Sequence, residues 1–350
     1  MSRTNRPLAA GALIALLSLG TAACNDSTSR SSAATKPASS AGGDGTSVGS
    51  EATQVESAFV QVVDRVRPTV VEISTPSGLG SGVMYDGKGD IVTNAHVVGD
   101  STQFQVTLVD GHSLPGELVG TFPPDDLAVV RVSGSGAPAA AKFDDSSTVK
   151  VGQIVMAVGN PLGLESSVTD GIVSSTGRTV SEGGGVVLPS TIQTSAPINP
   201  GNSGGALVGL DGDVIGIPTL AAVTPDLGAA PGIGFAVPSN TVKRIADQLI
   251  SSGKVTDSGR AALGISGTNV VTGSGAPFGV LVQSIEPDKA AQAAGISPGD
   301  VITSVAGKPT TTMEELQSVL ADLSPGQTVP VEVVHSDGSR APYQVTLSSL

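Results

Sequence analysis

The fold is decided by one glycine-rich stretch, Asn199-Pro-Gly-Asn-Ser-Gly-Gly205. The glycines at 201, 204 and 205 carry no side chain, so backbone N–H groups can converge beside the hydroxyl of Ser203. With Gly201 and Ser203 as donors, such an N–H pair is suited to hold the oxyanion of a tetrahedral intermediate. Taken alone, the stretch also fits a glycine-rich turn with an incidental serine. The rest of the chain must therefore decide whether Ser203 is a catalytic nucleophile.

The same stretch satisfies the Gly-x-Ser-x-Gly elbow of a second hydrolase fold, and the order of residues along the chain separates the two folds. The elbow fold needs its acid and histidine after the serine, where this chain offers only His335. It also continues into a helix, whereas Ala206-Leu-Val208 favours a strand here. We therefore reject the elbow interpretation.

A serine nucleophile needs an imidazole base within hydrogen-bond reach, and the chain contains only three histidines. His96 ends an apolar run that a strand would deliver to a loop, and it is the candidate base. His112 and His335 each lie beside an Asp-Gly pair and are expected in turns. Asp126 begins a buried-looking strand and is the candidate to orient the imidazole, with the adjacent Asp125 as the alternative.

Charge and composition argue against several other classes of protein. The formal net charge is -13, and no basic stripe with interleaved aromatics occurs, so nucleic-acid partners are not expected. Gly78-Leu-Gly-Ser-Gly82 could suggest a phosphate-binding loop, but no Lys-Ser/Thr pair follows it and no helix pattern begins there. We expect a tight entry into a strand at this point, and neither a cofactor nor a metal ion.

Residues 1–23 have the organisation of a signal peptide, with a positively charged start, an apolar stretch over 8–19 and small residues before Cys24. A membrane span would need about 20 apolar residues. Cys24 is the only cysteine, and its position directly after Ala-Ala predicts a lipid-modified bacterial cysteine. Ordinary cleavage after Ala23 is the alternative, because Thr21 stands where lipoprotein signals usually carry leucine.

Composition and periodicity then divide the chain. Residues 24–50 are mostly Ser, Thr, Ala and Gly and are expected to form a flexible linker. Residues 51–253 open with an amphipathic helix and continue as short Val/Ile/Leu-rich runs separated by turns, which predicts an antiparallel barrel or sandwich. A closing helix is expected to begin with Ser239 as its N-cap and to end before Gly253.

A polar linker over 254–260 precedes a second, small domain of mixed type over 261–350. Its apolar runs predict strands near 279–285, 300–305 and 329–334, and a helix around 312–322.

Six blocks in register resemble the HtrA (Deg) family of trypsin-like serine proteases, from the opening helix to the C-terminus. They are Gly80-Ser-Gly-Val83, Thr93-Asn-Ala-His-Val-Val98, Asp126-Leu-Ala-Val129, Gly159-Asn-Pro-Leu-Gly163, Asn199-Pro-Gly-Asn-Ser-Gly-Gly-Ala-Leu207 and Gly232-Ile-Gly-Phe-Ala-Val-Pro238. The resemblance implies a mostly β protein with a chymotrypsin-like double β-barrel, in which His96 is the general base, Asp126 its partner and Ser203 the nucleophile.

The resemblance also implies a small apolar pocket with Ile198 and Ile233 on its wall, and cleavage after small aliphatic residues such as Val or Ala. Two features depart from the family pattern: Gln193-Thr-Ser-Ala-Pro197 replaces its usual Gln-Thr-Asp-Ala-Ala, and Pro218 stands where Asn is common. Both departures touch the loops that shape the site, so they bear on the conformation that the site has before substrate binds.

The C-terminal block resembles a small α+β PDZ domain, in which Leu263, Gly264 and Ile265 match the carboxylate-binding loop. Such a loop binds a peptide C-terminus as an added strand. The alternative is a docking module with no free ligand groove.

Together these features predict an exported serine endopeptidase that degrades unfolded or damaged proteins by a Ser-His-Asp acyl-enzyme mechanism. It would act outside the cytoplasm, as a membrane-anchored lipoprotein at the cell surface or as a secreted protein. The resemblance to the family further implies a homotrimer. A chaperone or scaffold that rarely cuts is the alternative from another class. A pure PDZ interaction protein is disfavoured because the protease motifs would then be unexplained.

Overall fold

The computed structural model describes residues 45–76, 78–134, 136–160, 167–183, 186–199, 201–224 and 228–350. The predicted signal peptide over 1–23 and Cys24 lie outside the described residues. The opening helix, α1 (Gly45–Val66), begins inside the predicted linker, so residues 45–50 are helical rather than part of a flexible linker. Among the described residues, no helix is both long enough and apolar enough to cross a membrane.

Six strands form a first closed barrel, with the neighbour order β1-β2-β3-β6-β5-β4. They are β1 (Val70–Thr75), β2 (Gly78–Met84), β3 (Asp90–Thr93), β4 (Gln103–Thr107), β5 (Ser113–Phe122) and β6 (Leu127–Val132). A one-turn helix, α2 (Ala95–Val98), follows β3. The Asp-Gly pair beside His112 lies in the predicted turn, which joins β4 to β5, and Gly78 begins a strand as expected.

Six further strands form a second closed barrel, with the neighbour order β10-β11-β12-β9-β8-β7. They are β7 (Ile154–Gly159), β8 (Ser167–Gly183), β9 (Val186–Thr194), β10 (Ala206–Gly209), β11 (Val214–Thr224) and β12 (Gly228–Pro238). The strand predicted directly after the glycine-rich stretch is β10. The prediction of a mostly β fold with a double barrel is therefore confirmed.

Helix α3 (Ser239–Ser252) closes this part of the chain and fully buries Val242, Ile245 and Leu249 in a core that contains strands of both barrels. Each such side chain contributes about 1.5–3 kcal/mol when removed from water. The predicted N-cap role of Ser239 is wrong. Pro238 occupies the cap position, and the Ser239 hydroxyl donates instead to the carbonyl oxygen of Asp144 at 2.7 Å. Gly253 ends the helix in the left-handed region, as predicted.

The C-terminal part pairs β13 (Ala261–Ala262) with β20 (Ser348–Ser349). Its main sheet contains β14 (Ile265–Val271), β15 (Pro277–Ile285), β16 (Val301–Val305), β18 (Thr328–Val334) and β19 (Arg340–Thr346), with β17 (Lys308–Pro309) beside β16. Two helices, α4 (Ala290–Ala294) and α5 (Met313–Ala321), pack on it, and Thr312 caps α5 by accepting the Glu315 N–H. The strands and the helix predicted here are all present.

Candidate active site

His96 and Asp126 are joined by two hydrogen bonds. The ring Nδ1 of His96 lies 2.8 Å from Asp126 Oδ2, and the His96 backbone N–H donates to Asp126 Oδ1 at 3.0 Å. The carboxylate is buried, whereas the imidazole side chain is 47% exposed. Because an ionised carboxylate can only accept, this contact favours the proton on Nδ1 and leaves Nε2 with the lone pair that a general base requires.

Asp126 owes its position to a strained backbone. Its φ of 50° lies in the left-handed region, directly after a 3-10 turn over Pro123–Asp125. Such a conformation costs about 1–3 kcal/mol in a residue other than glycine. It turns the Asp126 carbonyl oxygen towards α2, where it accepts the Ala95 N–H at 3.1 Å and the Asn94 side-chain N–H at 3.0 Å. The same residue therefore anchors the backbone and the ring of His96.

Thr219, on β11, is a site residue that the sequence analysis missed. Its hydroxyl donates a short hydrogen bond to Asp126 Oδ2, and its backbone carbonyl accepts the Ser203 hydroxyl at 3.2 Å. Thr219 therefore contacts both the candidate acid and the candidate nucleophile. A signal was present, because a threonine in the middle of an apolar run, Val214-Ile-Gly-Ile-Pro-Thr-Leu-Ala-Ala222, needs a hydrogen-bond partner once it is buried.

The glycine-rich stretch adopts conformations that only glycine takes without strain. Gly201 has φ 115° and Gly204 has φ 80°. A Cβ atom at Gly204 would lie 2.2 Å from the backbone oxygen of Ser81. Within the described part of the chain, the N–H groups of Gly201 and Ser203 donate to no protein acceptor. These are the two amides that the sequence assigns to an oxyanion hole.

The site lies where the two barrels meet. His96 follows β3 and Asp126 precedes β6, both in the first barrel, whereas Ser203 precedes β10 and Thr219 lies on β11 in the second. Gly204 N–H donates to the Pro218 carbonyl at 3.0 Å, and the register with β12 shifts directly after Pro218. Pro218, which stands where the family commonly has Asn, thus accepts a hydrogen bond from the glycine-rich stretch that contains Ser203.

The two predicted pocket residues have different surroundings. Ile198 is buried in the core of the second barrel with Ala196 and Leu207. It packs so closely on β12 that a Cβ atom at Gly234 would lie 2.4 Å from its side chain. Ile233, the chain neighbour of Gly234, is 38% exposed. Their place on a common pocket wall stays a prediction.

The other two histidines lie outside this site. His112 lies in the turn between β4 and β5, as predicted, and its side chain is exposed. Hydrogen bonding to Asp110 raises the pKa of its imidazole. His335 lies in the turn after β18, but its ring is partly buried and contacts Asp300 at 2.7 Å. Among the described residues, no group of three or more His, Cys, Asp or Glu side chains could hold a metal ion.

The predicted carboxylate-binding loop joins β13 to β14. Gly264 has φ 71°, and a Cβ atom there would lie 2.1 Å from the Lys289 side chain. Among the described residues, the N–H groups of Leu263 and Gly264 donate to no protein acceptor. A groove of about 320 Å³ lies beside the loop, and α5 contributes the apolar side chains of Met313 and Leu316 to it.

The opposite wall of this groove comes from the barrels. Pro123, Pro124 and Val187 line it, and Arg260 binds the same segments. The guanidinium donates to the carbonyl oxygens of Pro124 and Val187 and to Asp125 Oδ1, the last at 3.0 Å. Asp125, the alternative to Asp126, therefore faces the second domain rather than His96. Burial raises the pKa of Asp125, and Arg260 opposes this rise.

Comparison with known proteins agrees with the two-part architecture. A family model for trypsin-like peptidase domains matches residues 80–217, and a PDZ domain model matches residues 254–347. The chain is 40% identical over 276 residues to the periplasmic serine endoprotease DegP of Escherichia coli K12, a match that covers 77% of this chain and 56% of DegP. It is 38% identical to the serine endoprotease DegS of the same organism, covering 77% of this chain and 76% of DegS.

A solved structure of the HtrA-type protease AlgW with a decapeptide superposes with a TM-score of 0.57 at 30% sequence identity. That match covers 83% of this chain and 98% of the AlgW chain. The chain thus spans little more than half of DegP, but most of DegS and nearly all of the AlgW structure.

Proposed function

Because the chain belongs to the HtrA (Deg) family of trypsin-like serine proteases, we propose that it is a serine endopeptidase with Ser203 as nucleophile and His96 as general base. The observation that carries this proposal is the chain of contacts from His96 to Asp126 to Thr219 to Ser203, which crosses from one barrel to the other. Asp126 would hold the imidazole in the tautomer that accepts a proton on Nε2.

In the proposed reaction, Ser203 Oγ forms a bond to the carbonyl carbon of the peptide while its proton passes to His96 Nε2. The carbonyl oxygen becomes an oxyanion, which the N–H groups of Gly201 and Ser203 would stabilise. Collapse of this intermediate breaks the C–N bond, and His96 gives its proton to the departing amine. Water then repeats the sequence on the acyl-enzyme, and the peptide acid leaves with Ser203 regenerated.

The proposed substrates are unfolded or damaged proteins, which offer extended segments to a surface site. Ile198 and Ile233 would border a small apolar pocket, giving cleavage after Val or Ala. The relatives DegP and DegS are named serine endoproteases, which supports the reaction class for this chain.

We further propose that the PDZ domain binds substrate or regulatory peptide C-termini. Two observations support this role: the N–H groups of Leu263 and Gly264 have no acceptor among the residues that the structure describes, and an apolar groove lies beside them. Because Pro123 and Pro124 form part of the groove wall, a bound peptide would touch the segment that leads to Asp126. A relative solved with a decapeptide agrees with a peptide ligand.

For location and assembly, we propose action outside the cytoplasm, with residues 1–23 removed on export and Cys24 lipidated as a membrane anchor. DegP is a periplasmic relative, which supports export. We propose a homotrimer from the family resemblance. Metabolic labelling with a palmitate analogue, compared between wild type and Cys24→Ala, tests the anchor.

Digestion of casein tests the proposed activity, with Ser203→Ala as the control. We expect the wild type to digest casein to small peptides and Ser203→Ala to leave casein intact. If neither protein digests casein and both suppress aggregation of an unfolded protein equally, the chaperone or scaffold alternative is correct instead.

A further inference from the structure

Ser81, on β2 of the first barrel, makes two hydrogen bonds to the glycine-rich stretch that precedes β10 of the second barrel. Its backbone N–H donates to the carbonyl oxygen of Ser203 at 3.0 Å. Its hydroxyl donates to the carbonyl oxygen of Gly201 at 2.5 Å. One residue therefore binds the carbonyl oxygens of both residues whose N–H groups are proposed to stabilise the oxyanion.

The direction of the Ser81 hydroxyl is determined by its surroundings. Ser81 is completely buried, so water does not compete for its hydrogen bonds. Its Oγ accepts the backbone N–H of Asn160 at 2.8 Å, which occupies a lone pair and directs the hydroxyl proton to Gly201. On the other side, the Thr93 hydroxyl fixes the Ser81 carbonyl at 2.6 Å.

The Gly201 carbonyl is also confined by packing. A Cβ atom at Gly159 would lie only 2.4 Å from this oxygen, so β7 and the glycine-rich stretch are in direct contact. Gly201 has φ 115°, a conformation from which a glycine can depart at little cost unless its neighbouring peptide groups are held. Among the side chains of the described residues, the Ser81 hydroxyl is the one that donates to the Gly201 carbonyl.

We propose that Ser81 is a positioning residue of the oxyanion hole, which keeps the N–H groups of Gly201 and Ser203 directed at the developing oxyanion by binding the carbonyl oxygens of the same two residues. This inference rests on the proposed role of Ser203 as nucleophile. Preorganised donors act only when they are aligned with the charge that appears in the transition state. Loss of the Ser81 hydroxyl should therefore impair turnover more than substrate binding.

The test compares Ser81→Ala with Ser239→Ala. Ser239 is an equally buried serine whose hydroxyl also donates to a backbone carbonyl, but at the start of α3, away from the site. Ser81→Ala loses two buried hydrogen bonds, the one donated to Gly201 and the one accepted from Asn160, whereas Ser239→Ala loses one, so the melting temperature should fall in both variants and further in Ser81→Ala. On a peptide substrate, Ser81→Ala should lower kcat by about 10- to 100-fold, the scale of a misplaced catalytic geometry, with KM within about twofold. Ser239→Ala should leave kcat unchanged.

Hydrogen exchange of the backbone amides over residues 201–205 gives a readout that does not depend on activity. Exchange should become faster in Ser81→Ala and stay at the wild-type rate in Ser239→Ala. The inference is overturned if exchange over 201–205 is the same in all three proteins, or if both variants lose kcat equally. If the wild type itself shows no Ser203-dependent turnover, the proposed function fails, and the exchange comparison alone decides the inference about Ser81.

Discussion

Arg260 and Asp125 form a buried ion pair, with Arg260 Nη1 3.0 Å from Asp125 Oδ1. The two side chains are 12% and 3% exposed. Asp125 directly precedes Asp126, the carboxylate that binds His96, and Arg260 directly precedes β13, within the residues that match the PDZ domain model. The domain that is proposed to bind peptides is therefore attached one residue from the acid of the proposed catalytic site.

Replacement of Arg260 by alanine should destabilise the protein strongly. It leaves Asp125 buried without its cation, which typically costs about 3–5 kcal/mol. Because burial already raises the pKa of Asp125 and Arg260 opposes this, the pKa should rise further in the variant. Urea unfolding measures the loss. The double variant Arg260→Ala/Asp125→Asn has no unpaired charge and should recover part of the stability; a double variant as unstable as the single one would refute the ion-pair explanation.

The two adjacent aspartates should differ sharply in their effect on catalysis. Asp126→Asn presents an amide where the imidazole Nδ1–H needs an acceptor, so the wrong tautomer is favoured, and kcat should fall by about 10⁴-fold. Asp125→Asn changes only the contact with Arg260 and should lower kcat by less than about tenfold. Steady-state hydrolysis of one peptide substrate decides the matter, and equal losses in both variants would contradict the assignment of Asp126.

Loss of the Thr219 hydroxyl should weaken the site moderately. Thr219→Val keeps the side-chain shape and the backbone carbonyl that binds Ser203, but it removes the donor to Asp126 Oδ2. A hydrogen bond to a charged group is worth about 1.5–3 kcal/mol, so kcat should fall by at least roughly tenfold. Thr219→Ser restores the donor and should keep most of the activity. A serine variant as slow as the valine variant would exclude the hydroxyl as the cause.

Acid stability should depend in part on Asp145, at the N-terminus of a 3-10 turn over Ser146–Thr148. Hydrogen bonds from the side chains of Ser147 and Asn240 and from the Ser147 N–H lower the pKa of Asp145 from 3.8 to about 2. A carboxyl group with a lowered folded-state pKa stabilises the fold at every pH above its unfolded-state value, and this contribution is lost as the pH falls towards 2.

Asp145→Asn should therefore flatten the fall of the melting temperature between pH 4 and pH 2, while lowering the melting temperature at neutral pH. Thermal unfolding at a series of pH values measures both effects. A variant whose melting temperature falls as steeply as that of the wild type over this range would show that Asp145 is not responsible.

Local patterns were sufficient to predict much of this molecule. Features that depend on neighbours in sequence can be recognised from the chain alone. Three examples are the glycines around Ser203, the apolar run before His96 and the strand β10. The short apolar runs and turns likewise predicted a barrel or sandwich and a second domain, and the family resemblance narrowed the first domain to a double barrel. The error at Ser239 has a non-local cause: its hydroxyl donates to the carbonyl oxygen of Asp144, 95 positions away, which only the folded chain brings close.

The contacts that complete the site could not be predicted, because they join distant parts of the chain. Thr219 binds Asp126 across 93 positions, and Ser81 binds Gly201 across 120. Whether Asp125 or Asp126 faces the histidine depends on a single backbone conformation, φ 50° at Asp126, which sequence does not specify for an aspartate. The pairing of Arg260 with Asp125 similarly requires two domains to meet.

The central claim is that Ser203 is an activated nucleophile, and labelling with a fluorophosphonate probe tests it most directly. The phosphorus atom should form a bond to Ser203 Oγ with loss of fluoride, and peptide mass spectrometry should locate the adduct on this serine. We expect labelling of the wild type, strongly reduced labelling of Asp126→Asn and none of Ser203→Ala. Labelling of Ser203→Ala as strong as that of the wild type would contradict the account.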